Sequence, residues 1–150
     1  WRPIRTWAMA ASLHHLFDRL PGAWSVARTI ADERIGAGRF EGQALFRPQT
    51  ETSLLYKETG ELVIGAWRGP AYRQWLYVSS SAALSIFYPD GKTLLHRFEL
   101  GAGESAEHTH LCGEDRYAAQ LSSTGESGFA LSYRVDGPSK RYALHTAYTR

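Results

Sequence analysis

From Trp24 to Tyr148 the apolar residues of this chain recur with a period of two, and that feature limits its fold more than any other. Every second side chain lies on one face of an extended strand, whereas a helix needs recurrence at three and four positions. Trp24, Val26 and Ile30 alternate with Ser25, Ala27 and Thr29, and Phe40, Gly42, Ala44 and Phe46 alternate with Arg39, Glu41 and Gln43. Leu54 and Tyr56 open a third run, and Leu62, Ile64 and Ala66 a fourth. Further runs follow at Tyr72–Val78, at Leu84–Tyr88, and at Leu94, His96 and Phe98. His108, His110 and Cys112 share a face, as do Tyr117, Ala119 and Leu121. Phe129, Leu131, Tyr133 and Val135 alternate cleanly, and Tyr142, Leu144 and Tyr148 mark the last strand. About ten short strands joined by short turns predict an all-β sandwich or up-and-down barrel. The meander-like connection favours a single antiparallel barrel of about 8–10 strands, since closure removes exposed edges.

The punctuation agrees with this pattern. Pro89-Asp90-Gly91 is a turn signal, in which Pro presets φ and Gly takes the positive φ. Gly137-Pro138-Ser139-Lys140 reads as a turn too, because it lacks the glycine and hydroxyl spacing of a phosphate loop. Only Trp7 to Leu20 has helical spacing, with Met9, Leu13, Leu16, Phe17 and Leu20 on one face and Pro21-Gly22 as the stop. The expected organisation is an N-terminal basic segment and amphipathic helix over 1–20, then a barrel domain over 21–150.

Composition narrows the function. The formal net charge is only +2 and the cations are dispersed, so no basic tract interleaved with stacking aromatics argues for nucleic acid. No apolar run approaches the ~18 residues of a membrane-spanning helix. Cys112 is the only cysteine, which excludes an intrachain disulfide and fits a reducing, intracellular compartment. The first seventeen residues contain Arg2, Arg5, Ser12, His14 and His15 and no acid. They match the tail of an organellar, mitochondrial presequence or a processed N-terminus, and equally a chain that simply starts at Trp1.

Several runs carry a resemblance. Leu20-Pro-Gly-Ala-Trp24-Ser-Val-Ala-Arg28, Phe40-x-Gly42-x-Ala44-x-Phe46 and Phe87-Tyr-Pro-Asp90-Gly91-Lys with His96 are three of them. The others are His110-x-Cys112-x-x-Asp115-x-Tyr117 and Tyr133-x-Val135-x-Gly137-Pro138-x-Lys140-x-Tyr142, closing on Tyr148-Thr-Arg150. In order and spacing, over roughly Leu20 to Arg150, these resemble a family catalogued only as a domain of unknown function. The resemblance implies a small lipocalin-like (calycin) barrel. From the residues themselves, Trp24, Gly137, Pro138 and Lys140 are expected to be structural, with Lys140 pairing with Asp136 or Asp115. The chain departs from the family pattern at Arg141, where an acidic residue is usual. Some related barrels hold haem through a histidine near the C-terminus, where this chain has His145. The Gly-rich first-strand signature of those barrels is missing from Gly22-Ala-Trp24-Ser-Val26, and no cofactor is expected.

His96, His110, Cys112, Asp115, Tyr117 and Tyr142 are the residues with chemistry to offer. His110 and Cys112, two apart on a strand, face the same way, and His96 shares its face with Leu94 and Phe98. A His/Cys pair could ligate a metal or supply a thiolate. Structural zinc takes four ligands and catalytic zinc three, and His108 is the one local third, so no metal site is expected. The reading adopted is an inner polar network in which these groups are buried and hydrogen-bonded to one another, or the lining of a ligand pocket. Trp67, Trp75 and Tyr77 fall on one face and offer a core or a platform for a flat ligand.

The function expected is therefore non-catalytic: a barrel that binds a small apolar or aromatic molecule. The alternative is an accessory subunit of a larger, mitochondrial assembly, docking protein partners through its N-terminal helix with Trp1 and Trp7 as anchors. A haem barrel, or an enzyme using His96, His110 and Cys112, ranks below both. Large inward side chains argue for a filled barrel, and small ones such as Gly42, Ala44 and Ala119 for a hollow one.

Overall fold

The computed structural model describes residues 12–125 and 127–150. Ten strands follow one another in sequence: β1 (Gly22–Asp32), β2 (Gly36–Thr50), β3 (Ser53–Ile64), β4 (Trp67–Ser80), β5 (Ala83–Phe87), β6 (Leu94–Glu99), β7 (Ser105–Cys112), β8 (Asp115–Ser123), β9 (Gly128–Asp136) and β10 (Arg141–Thr149). They form one antiparallel sheet in the order β6-β5-β4-β3-β2-β1-β10-β9-β8-β7. Each strand pairs with the next in sequence except β6 with β7, and β1 also pairs with β10, with Val26 opposite Tyr148 and Ile30 opposite Leu144. The sheet thus curls into a nearly closed barrel whose two free edges, β6 and β7, meet at a seam held by side chains: the rings of Phe98 and His108 lie 6.3 Å apart across it.

The alternation dictates what fills the barrel. Trp24, Phe40, Phe46, Tyr56, Tyr77, Phe98, Phe129 and Tyr148 point inward and are essentially buried. Phe46 packs edge-on to Tyr77 and Phe129 stacks on Tyr148 at 4.4 Å. Each such ring contributes on the order of 1.5–3 kcal/mol by leaving water.

Two sequence expectations change. The third and fourth runs are a single strand, β3, that continues straight through Gly60. The reason is a glycine pair: Gly42 lies opposite Gly60, and a Cβ on Gly42 would sit 2.1 Å from the Thr59 carbonyl oxygen. Two bare backbones press together there, and the Phe40 ring covers Gly60. Gly42 therefore opens no cavity. The real turn comes at Gly65, with φ +57°, so Ala66 lies in the turn and not in a strand.

Among the described residues the helical part of the expected Trp7–Leu20 segment is short. A 3-10 turn, Leu13–His15, leads into α1 (Leu16–Arg19), and the Ser12 side chain caps the start by accepting from the His14 N–H. The stretch from Trp7 to Ala11, like Trp1, lies outside the described residues. Leu13, Leu16 and Leu20 are fully buried, so the apolar face of this segment closes one end of its own barrel and is not free for a partner. The Leu13 N–H donates to the Gly103 carbonyl and Arg19 to that of Gly125, pinning the segment across the end of the barrel. Trp24 donates to the Leu20 carbonyl at 2.8 Å, and the Arg150 guanidinium stacks on the Trp24 ring.

Candidate functional site

The other end of the barrel is open. There β1, β4, β6, β8, β9 and β10, with Tyr88 just after β5, surround a cavity of about 340 Å³. Trp75, Tyr88, Tyr117, Tyr133 and Tyr142 line it together with Ile30, Leu95 and Leu144. Tyr88 is set by the turn that follows it: the Asp90 carboxylate accepts from the N–H groups of Lys92 and Thr93, and Gly91 adopts φ +70°. Trp75 meets Tyr88 edge-on at 5.1 Å. Of the platform expected from the sequence only Trp75 faces this space, since Tyr77 is core and Trp67 lies exposed over Gly69. Burial and the neighbouring phenols push the Tyr142 hydroxyl up to about 12 and raise that of Tyr88, so both stay neutral donors. The barrel is thus filled at the helix end and hollow at the mouth.

Below the mouth lies an ionic cluster that the sequence reading missed. Arg28 on β1 makes a two-pronged pair with Glu58 on β3, at 2.7 and 2.8 Å, and donates through Nε to the Thr146 hydroxyl. Glu58 also accepts from the Tyr56 hydroxyl, which bonds to that of Tyr148. Burial alone would raise the Glu58 pKa, but the hydrogen bonds and charge of Arg28, with those of Tyr56 and Arg73, hold it below its ordinary value. Arg73 lies 3.6 Å from Glu58, reaches toward the Tyr133 hydroxyl and lines the mouth cavity. A signal was present: Arg28 continues the inward phase of Trp24 and Val26, and Glu58 that of Leu54 and Tyr56. Charged residues in a buried phase require partners.

The predicted polar residues fall in three places. His96 is completely buried on β6 and faces His108 and His110 on β7, with ring centroids at 6.3 and 6.4 Å. The expected satisfied network is not formed: neither ring nitrogen of His96, nor Nδ1 of His108 and His110, has a hydrogen-bond partner among the described residues. Burial, then the nearby imidazoles, push His96 down to about 3, so it is neutral at physiological pH. Tyr117 is half-buried and stacks flat on His110 at 5.0 Å, and Tyr133 lies 5.1 Å from His96. Cys112 is exposed at the end of β7, apart from the three rings. Asp115 pairs with Lys140 at 3.7 Å, and the Tyr117 hydroxyl and Asp115 raise the Lys140 pKa. Gly137 and Pro138 form the β9–β10 connection, closed by the Gly137 N–H donating to the Lys140 carbonyl. A Cβ on Gly137 would strike the Asp115 carboxylate, which would have to move from its place beside Lys140.

His145 points away from the interior and shares a hydrogen bond with Ser132 at 2.5 Å. A broad concavity of about 580 Å³ lies beside it on the outer wall, lined by residues such as Ala118, Arg134 and Ala143. His145 is therefore no ligand for a group held inside the barrel.

Together these features define a lipocalin-like barrel with an aromatic mouth above a buried ionic cluster. The chain belongs to the family described as "Family of unknown function (DUF6314)", whose pattern matches residues 20–150. No functionally curated protein sequence matches it. Among solved structures it resembles the S-type phycobiliprotein lyase CPES from Guillardia theta, with TM-score 0.65 and 8% identity over 93% of this chain and 92% of that one. It also resembles EF1p2_mFAP2b bound to DFHBI, with TM-score 0.51 and 15% identity over 93% and 99%. The redesigned β-barrel mFAP1 bound to DFHBI gives 0.50 and 17% over 95% and 99%. At these identities the likeness is one of fold.

Proposed function

We propose that this protein is a non-catalytic binding module that takes one small, flat, aromatic molecule into the mouth of its barrel. The observation that carries this is the cavity lined by Trp75 and four tyrosines, closed below by a packed core. Pockets for small molecules combine aromatic walls with a few placed polar groups. Here the placed group is Arg73. Two guanidiniums, Arg28 and Arg73, share one carboxylate, Glu58, so the floor of the cavity carries a surplus positive charge. Asp32 also lines the rim, where its carboxylate accepts from the backbone N–H groups of Arg34 and Ile35, so the positive charge is local to the Arg73 side of the cavity. The ligand therefore carries an acidic or strongly hydrogen-bond-accepting oxygen at one end. The barrels named above as bound to DFHBI give precedent for this fold holding a small molecule.

The test uses anilinonaphthalene sulfonate as a flat acidic probe. The folded protein is expected to bind one equivalent saturably and to quench Trp75 emission. Trp75→Ala and Tyr142→Ala each weaken binding about three- to tenfold, as loss of an aromatic contact worth ~0.5–1.5 kcal/mol requires. Arg73→Met abolishes the preference for the sulfonate over a neutral naphthyl amine. Binding that ignores all three substitutions would remove the mouth as the site.

A further inference from the structure

We propose that His96, His108 and His110 form a site for one divalent transition-metal ion of the zinc or cobalt class, which clips β6 to β7 across the seam of the barrel. One ring nitrogen from each histidine lies within 4.8 Å of those of the others. The arrangement follows from the topology. His108 and His110 are two apart on β7 and so present their rings side by side on the inner face. His96 comes from β6, the other free edge of the sheet, and reaches them only because the barrel curls round to bring its edges together.

The donor set selects the ion. Three imidazoles with no carboxylate suit zinc, cobalt, nickel or copper and disfavour calcium and magnesium, which want oxygen. Cys112 shares the strand face by spacing but is exposed at the strand end and is not part of the group. Metal–nitrogen bonds of ~2.0–2.1 Å in tetrahedral geometry place ligand nitrogens roughly 3.4 Å apart. The three rings must therefore close by somewhat more than an ångström, within the reach of side-chain rotation in His108 and His110, which are only partly buried.

The second observation is that the buried ring nitrogens have no other partner among the described residues. His96 is fully buried with both nitrogens unpartnered among the described residues, and Nδ1 of His108 and of His110 is likewise unpartnered. Buried polar atoms in folded proteins are almost always satisfied, so four orphans in one spot call for an explanation. Metal coordination uses three lone pairs at once. Three protein ligands also leave a fourth position open to water or a small anion, as in zinc sites that are not purely structural. The site is independent of the ligand reading, because the metal can be titrated with the mouth empty.

The experiment uses the tag-free full chain, stripped with a chelator and dialysed, then titrated with Co²⁺ alone and, separately, with Zn²⁺ alone. The expected result is one Co²⁺ per chain, with the intense visible absorption of a tetrahedral site, displaced by Zn²⁺, and a Zn²⁺-dependent rise in melting temperature. His108→Ala and His110→Ala are each expected to weaken Co²⁺ binding by more than the ~10–100-fold that loss of an outer-shell partner costs. His96→Ala should do the same, and if it does not fold, the two β7 variants decide. Cys112→Ser should bind as the wild type does. Octahedral, weak or multiple Co²⁺ binding, or binding unchanged in His108→Ala and His110→Ala, would overturn the proposal. Loss of the site in Cys112→Ser would overturn it as well, by showing a different ligand set.

Discussion

The barrel buries two polar clusters, and they are opposites. The Arg28–Glu58 group is charged and fully partnered: two hydrogen bonds join the pair, and Thr146, Tyr56 and Tyr148 complete the shell. The His96–His108–His110 group is neutral at its centre, and its buried ring nitrogens have no hydrogen-bond partner among the described residues. The first sits where strands are hydrogen-bonded on both sides, the second where the ladder stops. A charge can be held inside only where rigid neighbours supply every contact, and the interior of a ladder does that. An edge does not, and the residues found there are ones that tolerate being neutral.

The sharpest way to break this comparison is to remove one partner from the ionic cluster. Arg28→Met leaves Glu58 short of its main counter-charge and should cost about 3–5 kcal/mol, read from urea unfolding. The double variant Arg28→Met/Glu58→Leu should recover most of that loss. A double variant as unstable as the single would mean that the pair itself, and not the stranded charge, carries the stability.

Acid comes next. Glu58 has a lowered pKa in the fold, with Arg28, Arg73, Tyr56 and Tyr148 around it, so it binds its proton more readily when unfolded. Its contribution is fully present above the unfolded value of about 4.5 and is lost as pH falls through the lower, folded one. Stability measured against pH should therefore fall more steeply below about 4.5 in the wild type than in Glu58→Gln. Parallel curves would show that the carboxylate gains nothing from its shell.

The smallest effect should come from the other cluster. In metal-free buffer His96→Leu removes two orphan nitrogens and places an apolar side chain there, so the unfolding free energy from urea should stay within about 1 kcal/mol of the wild type. A loss as large as that of Arg28→Met would show that His96 has a partner after all and erase the contrast.

The sequence made the strands legible, because the period of two reports directly which side chains share a face. It also made the Tyr88–Thr93 turn legible, since Pro89, Asp90 and Gly91 each have a backbone reason to be there. It misplaced the break in β3, because Gly60 reads as punctuation unless its partner Gly42 is known, and register is not local information. His108 and His110 could be placed together by spacing, while their meeting with His96 depends on closure of the whole barrel. Arg28 and Glu58 were visible as charges in a buried phase, but thirty positions separate them and nothing in either strand names the other. The mouth cavity drew its walls from six strands and one turn, so no single stretch could announce it.

The seam has a mechanical consequence. A sheet that runs from β6 round to β7 without hydrogen bonds between those edges among the described residues is a split ring, not a hoop. A hoop can widen only by breaking ladder bonds, whereas a split ring widens by flexing, and what resists is side-chain contact along one line. Amide protons on β6 and β7 that face the gap should exchange with solvent far sooner than those of β1 and β10 on the far wall. The ring contacts of His96 and Phe98 with His108 are then among the few things that hold the two edges of the ring together.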